Sequence, residues 1–372
     1  MQIHTVKAGE TLYSIAREYG ISPKKLAEIN GLKNPDKITV GRELLILFPK
    51  RTYSVRRADT TDGISKRFSI DKNEIFKSNP SLCASDKIYP EEILCLGYCD
   101  VVGGAALVEG YLYNGCTRDR LALALPYLSS VCPSSLVYER GRLRKIFNFN
   151  CRDIINREKR INQRIYSATP MTEGELTEKT AELFMDAAKE NGASAITLAM
   201  NGAVNEKSFE AFVSYLMNMA KKEGVTLCLE TDGELPDAIA AIPDRLIITD
   251  TGEIRRDLYT SLAEKIGGAK IVMDLSPFAT LGGEALPIEE ALRAADEKGI
   301  PLTASDEGEL TGLVGKKEIH IPSMRKTKAK LDLIGELGLL GVAIDIMRCP
   351  VSVIMMLNSL YELNPSYFSG GI

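Results

Sequence analysis

Apolar positions in the first hundred residues recur with a constant offset of 49. Val6 falls on Val55, Ile15 on Ile64, Tyr19 on Phe68, Ile21 on Ile70, Leu26 on Ile75 and Asn30 on Asn79, without a gap over nearly thirty positions. Each copy opens with a short alternating strand. It continues with an amphipathic helix, crosses a Ser22-Pro23 or Asp71-Lys72 cap into a second helix, and closes on Glu43-Leu44-Leu45-Ile46 or Glu92-Ile93-Leu94-Cys95. The pattern predicts two β-α-α-β modules, residues 1–49 and 50–99.

After Val101-Val102-Gly103-Gly104 the period changes. Apolar runs of strand length alternate with helical stretches of ten to eighteen residues. The predicted strands are 108–113, 131–138, 164–169, 195–200, 225–230, 245–249, 270–275 and 341–346. Thr172-x-x-Glu175 reads as a capping box before a helix ended by Gly192, and Phe209, Phe212, Val213, Leu216 and Ala220 mark one face of another helix, ended by Gly224. Alternating βα units with apolar strands imply a parallel sheet covered by helices, and eight of them predict a closed (β/α)8 TIM barrel over residues 105–372. Residues 284–322 exceed one βα unit and predict a small inserted α+β subdomain.

Composition narrows the function. The chain has 372 residues, with 46 basic against 50 acidic side chains, so no global positive field favours nucleic acid or an anionic membrane. No run reaches about 18 consecutive apolar residues, so no membrane span is expected. The start, Met1-Gln2-Ile3-His4-Thr5-Val6, has no basic segment leading into an apolar stretch. The expectation is therefore synthesis in the cytoplasm without a secretion signal. Eight cysteines lie at positions without paired C-x-x-C spacing, four of them Cys83, Cys95, Cys99 and Cys151, and they read as mostly buried thiols. With His4 and His320 as the only histidines, no metal site and no cofactor are expected.

The first module resembles a LysM domain through its Val6-x-x-Gly9-Glu10-Thr11-Leu12 run, Ile15-Ala16, Leu26, the Asn30-Gly31 turn and Ile38-x-x-Gly41. That resemblance implies binding of N-acetylglucosamine-containing glycans, peptidoglycan among them. It assigns the groove to Gly9, Glu10, Thr11 and Leu12 on one loop and to Asn30, Gly31, Leu32 and Lys33 on the other, with Ile38 beneath. The alternative is that these residues only end helices and fill a small core. In the second copy Ala58-Asp59-Thr60-Thr61 and Asn79-Pro80 replace the matching runs, so it reads as a degenerate module that keeps the fold.

The barrel resembles glycoside hydrolase family 18, in the branch that contains spore-cortex-lytic enzymes. The resemblance rests on Glu109-Gly110-Tyr111-Leu112-Tyr113, Gly192-Ala193-Ser194-Ala195-Ile196, Lys270-Ile271-Val272-Met273 and Gly338-Leu339-Leu340-Gly341-Val342, in that order. The family's D-x-x-D-x-D-x-E signature falls on Ser194, Thr197, Ala199 and Asn201, none of which is a carboxylate. The resemblance thus implies a barrel without its catalytic acid, since an amide has no proton to give a leaving group. Thr249-Asp250-Thr251 stands where the family has a tyrosine, and Asp345 where it has a tryptophan.

Strand ends at the barrel mouth carry the remaining candidates: Tyr111, Tyr113, Glu230, Asp250, Asp274 and Asp345, with Asp232 nearby. The acids could form a ring for a cation or for acid-base work, or they could cap the following helices. Three readings follow. One is a non-catalytic wall or spore glycan-binding protein, a pseudoenzyme. The second is a hydrolase with a displaced carboxylate, Glu230 or Asp250. The third is a scaffold for spore-coat or wall proteins.

Overall fold

The structure, a computed structural model, describes residues 1–83, 87–98, 103–113, 116–148, 160–167, 169–200 and 205–363. Asn201, Cys99 and Cys151 lie outside the described residues.

Both small modules fold as β-α-α-β. In the first, Gln2–Thr5 pairs antiparallel with Glu43–Ile46, and Leu12–Glu18 and Pro23–Ile29 are the helices. In the second, Thr52–Ser54 pairs with Ile93–Cys95 around Thr61–Phe68 and Lys72–Ser78. The repeated asparagine is a strap. The Asn30 amide donates to the carbonyls of Leu26 and Leu45, both at 2.9 Å, and accepts from Leu45 N at 2.7 Å. Asn79 makes the same three bonds to Ile75 and Cys95. Each amide ties the second helix to the closing strand, which a strand of three or four residues needs because its own ladder is short.

Eight parallel strands of the described residues close the barrel: β1 Ala105–Tyr111, β2 Ser130–Cys132, β3 Arg160–Ser167, β4 Ala195–Met200, β5 Thr226–Thr231, β6 Arg245–Ile248, β7 Ile271–Asp274 and β8 Gly341–Asp345. Each pairs with the next, and β8 pairs back onto β1 with Ala343 opposite Glu109. Leu107, Tyr111, Cys132, Cys228, Ile247, Val272 and Ala343 form an interior apolar cluster. A larger core lies between strands and helices. Among the described cysteines five are buried and Cys83 is half-buried, and burial pushes the thiols of Cys83, Cys95, Cys228 and Cys349 up to about 12.

Three expectations need correction. The single strand foreseen over 131–138 is two, because Pro133 has no N–H for the ladder. Both stretches run parallel to β3, Val131 opposite Ile161 and Ser135 opposite Arg164, and Ser134–Glu139 also forms a hairpin with Arg142–Asn148 across Arg140 and Gly141, both at positive φ. The contacts of Thr172 with Glu175 exist, but they close a turn. The helix starts later, at Glu178–Glu190, with Thr177 as its N-cap. The insertion's sheet opens with Ala279–Leu281, before residue 284, since Gly282 and Gly283 turn that strand into Glu284–Leu286. Its five strands and the helix Ile288–Lys298 enclose a core of their own.

The modules are built into the barrel. Ile29, Leu45 and Leu47 of the first, and Cys95 and Tyr98 of the second, belong to the same apolar core as the barrel helices. Leu302 N donates to Val40 O at 2.8 Å, and Thr39 N to Asp296 Oδ1 at 3.0 Å. Arg42 pairs with Asp296, and Glu43 accepts from Met324 N at 2.7 Å, capping the helix Met324–Leu337. The second module holds on through Lys77 O, which accepts from the hydroxyl of Tyr127 at 2.9 Å.

Gly41 sits at φ +85, and a Cβ there would fall 1.7 Å from Leu302 O. We therefore expect Gly41→Ala to destabilise the whole protein by roughly 3 kcal/mol or more, in the class of backbone clashes. Denaturant melts followed by circular dichroism check this. An unchanged midpoint would mean that the first module is not docked on the insertion.

Candidate functional site

Two regions carry the candidate residues: the loops of the first module and the mouth of the barrel.

In the first module, Gly9 takes φ +82 on an exposed turn. Glu10 folds back under this turn, accepting from Lys7 N at 2.7 Å and contacting His4 Nε2 at 2.9 Å. Burial opposes its charge, but the Lys7 amide and His4 outweigh that, so the Glu10 carboxyl sits below the ordinary range. Thr11 caps the helix, accepting from Ser14 N at 3.1 Å. Leu12, 1% exposed, lies in the module core and supports the loop from below, so it does not offer the apolar cover expected of it. Asn30 is buried with its amide consumed by the strap, so it too holds the loop rather than facing outward. Gly31, Leu32 and Ile38 are half-buried, and Lys33 is exposed. Leu32 and Ile38 pack on the same cluster as Leu12, which brings the two loops together.

The second module repeats the first loop more closely than its residues suggest. Ala58 takes the glycine-like φ of +67, Asp59 accepts from Arg56 N at 2.8 Å and from the Tyr53 hydroxyl at 2.6 Å, and Thr60 caps the helix. Its second loop is committed to the first module: Ser81 N donates to Glu28 Oε1 at 2.6 Å, and Lys25 Nζ donates to Asn79 Oδ1 at 2.7 Å.

At the barrel mouth a cavity of about 350 Å³ is lined by Tyr166, Ala199, Phe209, Glu230, Asp232 and Thr249, among others. The cavity thus opens over the ends of β3 to β6. Beside it, Arg164 on β3 holds Glu230 on β5 in a two-pronged pair, Nε to Oε2 at 2.8 Å and Nη2 to Oε1 at 2.6 Å. The guanidinium also lies 5.8 Å from the ring centre of Tyr111 and 5.7 Å from that of Tyr166. Tyr111 is buried and Tyr113 is partly exposed, their rings 6.5 Å apart.

The other mouth acids are also engaged. Asp250 pairs with Lys330 Nζ at 2.5 Å and accepts from Gly252 N at 2.8 Å. Asp345 accepts from Met347 N at 2.9 Å and Arg348 N at 3.3 Å in the turn that precedes the helix Val351–Leu360, and burial raises its carboxyl. Asp232 takes the amide of Glu234 at 3.1 Å. Asp274 accepts from Ser276 Oγ at 2.6 Å and Asp250 N at 3.3 Å. Burial foremost, with Glu230 and Asp250 adding repulsion, pushes its carboxyl up to about 7. Asp274 faces a crevice of about 10 Å³ and is not among the residues lining the larger cavity. No group of three or more His, Cys, Asp or Glu among the described residues is arranged for a metal ion.

Beneath the mouth, Thr197 is fully buried and accepts from Asn162 Nδ2 at 2.8 Å. The same amide reaches Glu109, which has no exposure and whose carboxyl burial pushes up, with Arg245 at 3.9 Å. Ser194 precedes the strand, its hydroxyl donating to Ile161 O at 3.3 Å. Arg164, Asn162 and Glu109 were not singled out from the sequence. A signal was there: Asn162, Arg164 and Tyr166 alternate with Ile161 and Ile165, the period that points polar residues into a barrel whose outer face is apolar.

Comparison with known proteins agrees with this architecture. Residues 4–47 and 53–97 each match the LysM domain family. Over 98 residues the chain is 33% identical to the endolysin of Bacillus phage B103, which is 25% of this chain and 37% of that protein. Over 82 residues it is 34% identical to the putative sporulation-specific glycosylase YdhD of Bacillus subtilis, which is 22% of this chain and 19% of that protein. The chain therefore spans well under two thirds of these curated relatives. Among solved structures, the spore cortex-lytic enzyme SleL of Bacillus megaterium superimposes with a TM-score of 0.73 at 17% identity, over 98% of this chain and 99% of that one. A chitinase from Chromobacterium violaceum gives 0.59 at 15% identity, over 68% and 98%. At these identities the likeness is one of fold. The chain carries two LysM domains ahead of a closed (β/α)8 barrel whose fold matches that of these two structures.

Asp274 makes stability depend on pH with a definite sign. Its carboxyl is raised from 3.8 to about 7, so between those values the folded chain holds a proton that the unfolded chain has lost. Stability then falls as pH rises through this window, by at most about 1.4 kcal/mol per unit. We expect Asp274→Asn to gain on the wild type from pH 4 to 7 and to keep a constant difference above that. Urea melts across this range measure it, and a difference that does not vary with pH would refute the raised carboxyl.

Proposed function

We propose that the protein is a non-catalytic binder of N-acetylglucosamine-containing wall glycan, peptidoglycan first, held through its first LysM domain. In this reading the barrel keeps the chitinase-like fold without the hydrolytic chemistry. We also propose that it acts at the spore or cell wall.

One observation carries the catalytic half of the reading. Where the family signature has its central carboxylates, this chain has Thr197, hydrogen-bonded inside the barrel, and Ala199, a methyl group on the mouth cavity. Protonating a leaving group needs a titratable proton within reach of the glycosidic oxygen, and orienting an acetamide needs an acceptor; a methyl supplies neither. Asn201, the position of the acid itself, lies outside the described residues, and its amide has no proton to give. The acids that remain at the mouth are occupied: Glu230 by Arg164, Asp250 by Lys330 and Asp345 by main-chain amides.

A hydrolase with a displaced acid is the second reading, and Asp274 favours it more than Glu230 or Asp250, since it alone of the mouth acids is pushed to about 7. Its small crevice speaks against a sugar reaching it.

The binding half rests on the groove residues left open to solvent: Gly9, Thr11, Gly31, Leu32, Lys33 and Ile38. A glycine turn leaves peptide groups free for an acetamide, and Leu32 and Ile38 offer apolar contact for its methyl.

Two measurements test this. Purified protein incubated with spore-cortex peptidoglycan and with chitin oligomers is expected to release no soluble fragments above the buffer blank by mass spectrometry; released fragments would mean that an active acid exists. In sedimentation with insoluble peptidoglycan the protein is expected in the pellet, with retention weakened about tenfold by Leu32→Asp, near 1.4 kcal/mol. Protein that stays in the supernatant would remove the glycan reading.

A further inference from the structure

The second loop of the first LysM domain does not open only to solvent. Between it and the inserted subdomain lies a cleft of about 600 Å³, larger than the cavity at the barrel mouth and within the usual range for ligand sites, roughly 300 to 1,000 Å³. Gly31, Leu32, Lys33 and Lys37 form its module side. Glu290 and Glu297, on the helix Ile288–Lys298, form the facing side. The cleft takes in residues of the second loop and none of Gly9, Glu10, Thr11 or Leu12.

Its charge pattern is specific. Lys33, Lys37 and Glu290 are exposed and have no ion-pair partner among the described residues, so cations and a carboxylate line one space without neutralising each other. Arg42, 4% exposed, lies at the base with Met347. Its outer nitrogens are taken by Asp296 and Asn30 O, while its buried Nε has no hydrogen-bond partner.

A neutral sugar chain can hydrogen-bond to these groups but carries no charge to match the pattern. A ligand with carboxylate and ammonium groups a few bonds apart meets both sides at once. In a wall glycan those groups belong to the short peptides attached to its muramyl residues, which leave the sugar chain as side branches. The cleft meets only one of the two groove loops, so it is placed for a branch rather than for the chain itself.

We propose that this cleft is a subsite for the stem peptide of peptidoglycan, built jointly by the first LysM domain and the inserted subdomain. The inference rests on glycan binding by that domain. It makes the whole protein prefer peptide-bearing peptidoglycan to bare N-acetylhexosamine chains.

The test uses the full-length protein and isothermal titration with three probes: a muramyl tetrasaccharide carrying its stem peptides, the same tetrasaccharide stripped of them by an amidase, and the N-acetylglucosamine tetramer. We expect the peptide-bearing probe to bind about fivefold more tightly than the other two at low salt, with the difference shrinking as salt is raised. Lys37→Glu and Glu290→Lys, both exposed substitutions, are each expected to abolish that preference while leaving the affinity for the N-acetylglucosamine tetramer unchanged. Equal affinity for all three probes would overturn the subsite and leave glycan binding standing. A preference that survives both substitutions would also overturn it, by locating the peptide elsewhere. Failure of every probe to bind would overturn both the subsite and the glycan reading beneath it.

Discussion

The arrangement of the molecule depends on two ionic side chains at the start of the first module's closing strand. Arg42 and Glu43 are almost wholly buried, and each finds its partner on the far side of the seam: Arg42 in Asp296 of the insertion, Glu43 in the amino end of the helix Met324–Leu337. Buried charges are tolerated when they are paired, and removing one partner leaves the other uncompensated. The seam therefore has one satisfactory orientation, reinforced by the contact between Val40 and Leu302 that only a glycine at position 41 permits. The second module has Glu91 and Glu92 at the corresponding positions and docks elsewhere, through Lys77 and Tyr127. One repeated fold thus meets the barrel in two different ways, according to a few residues at its edge.

That seam turns a LysM domain into part of a larger surface. A module on a flexible tether would present only its own two loops. Here the second loop is held against a helix of the insertion, and the space between them becomes a walled cleft. The second domain's corresponding loop packs on the first domain. The two copies therefore differ less in their first loops, which keep the same main-chain hydrogen bond, than in what lies opposite their second loops.

The barrel mouth gathers acids whose surroundings differ. Parallel strands direct their ends and the following loops to one face, so acids collect there whatever their role. What decides their use is local pairing. A carboxylate gripped by a guanidinium in two places, or spent on the amides of the turn that follows its strand, is a structural element. The pairing of Arg164 with Glu230, flanked by Tyr111 and Tyr166, lies at the cavity that Glu230 and Tyr166 line.

Much of this was written in the sequence. The repeat with its offset of 49, the change of apolar period after residue 104 and the eight strand-like runs reflect local backbone preference and the need to bury one face or two, which adjacent residues settle among themselves. The eight runs correspond to the strands of the barrel, and its fold class follows. Strand ends shifted where a single residue intervened, as at Pro133, and the helix expected after Thr172 began at Glu178 because Thr177 caps it. That positions 194, 197, 199 and 201 carry no carboxylate was equally legible, since it needs only the identity of side chains. Only the tertiary structure decided which acids are free. Glu230 and Arg164 stand 66 residues apart, Asp250 and Lys330 80 apart, and no local pattern links them. It alone also decided that Asn30 and Leu12 support the first groove from within, and that Arg42 meets Asp296 across 254 residues to close a cleft. Periodicity reports what a residue does for its own element, whereas charge pairing and cavity walls are set by whatever the closed barrel brings opposite it.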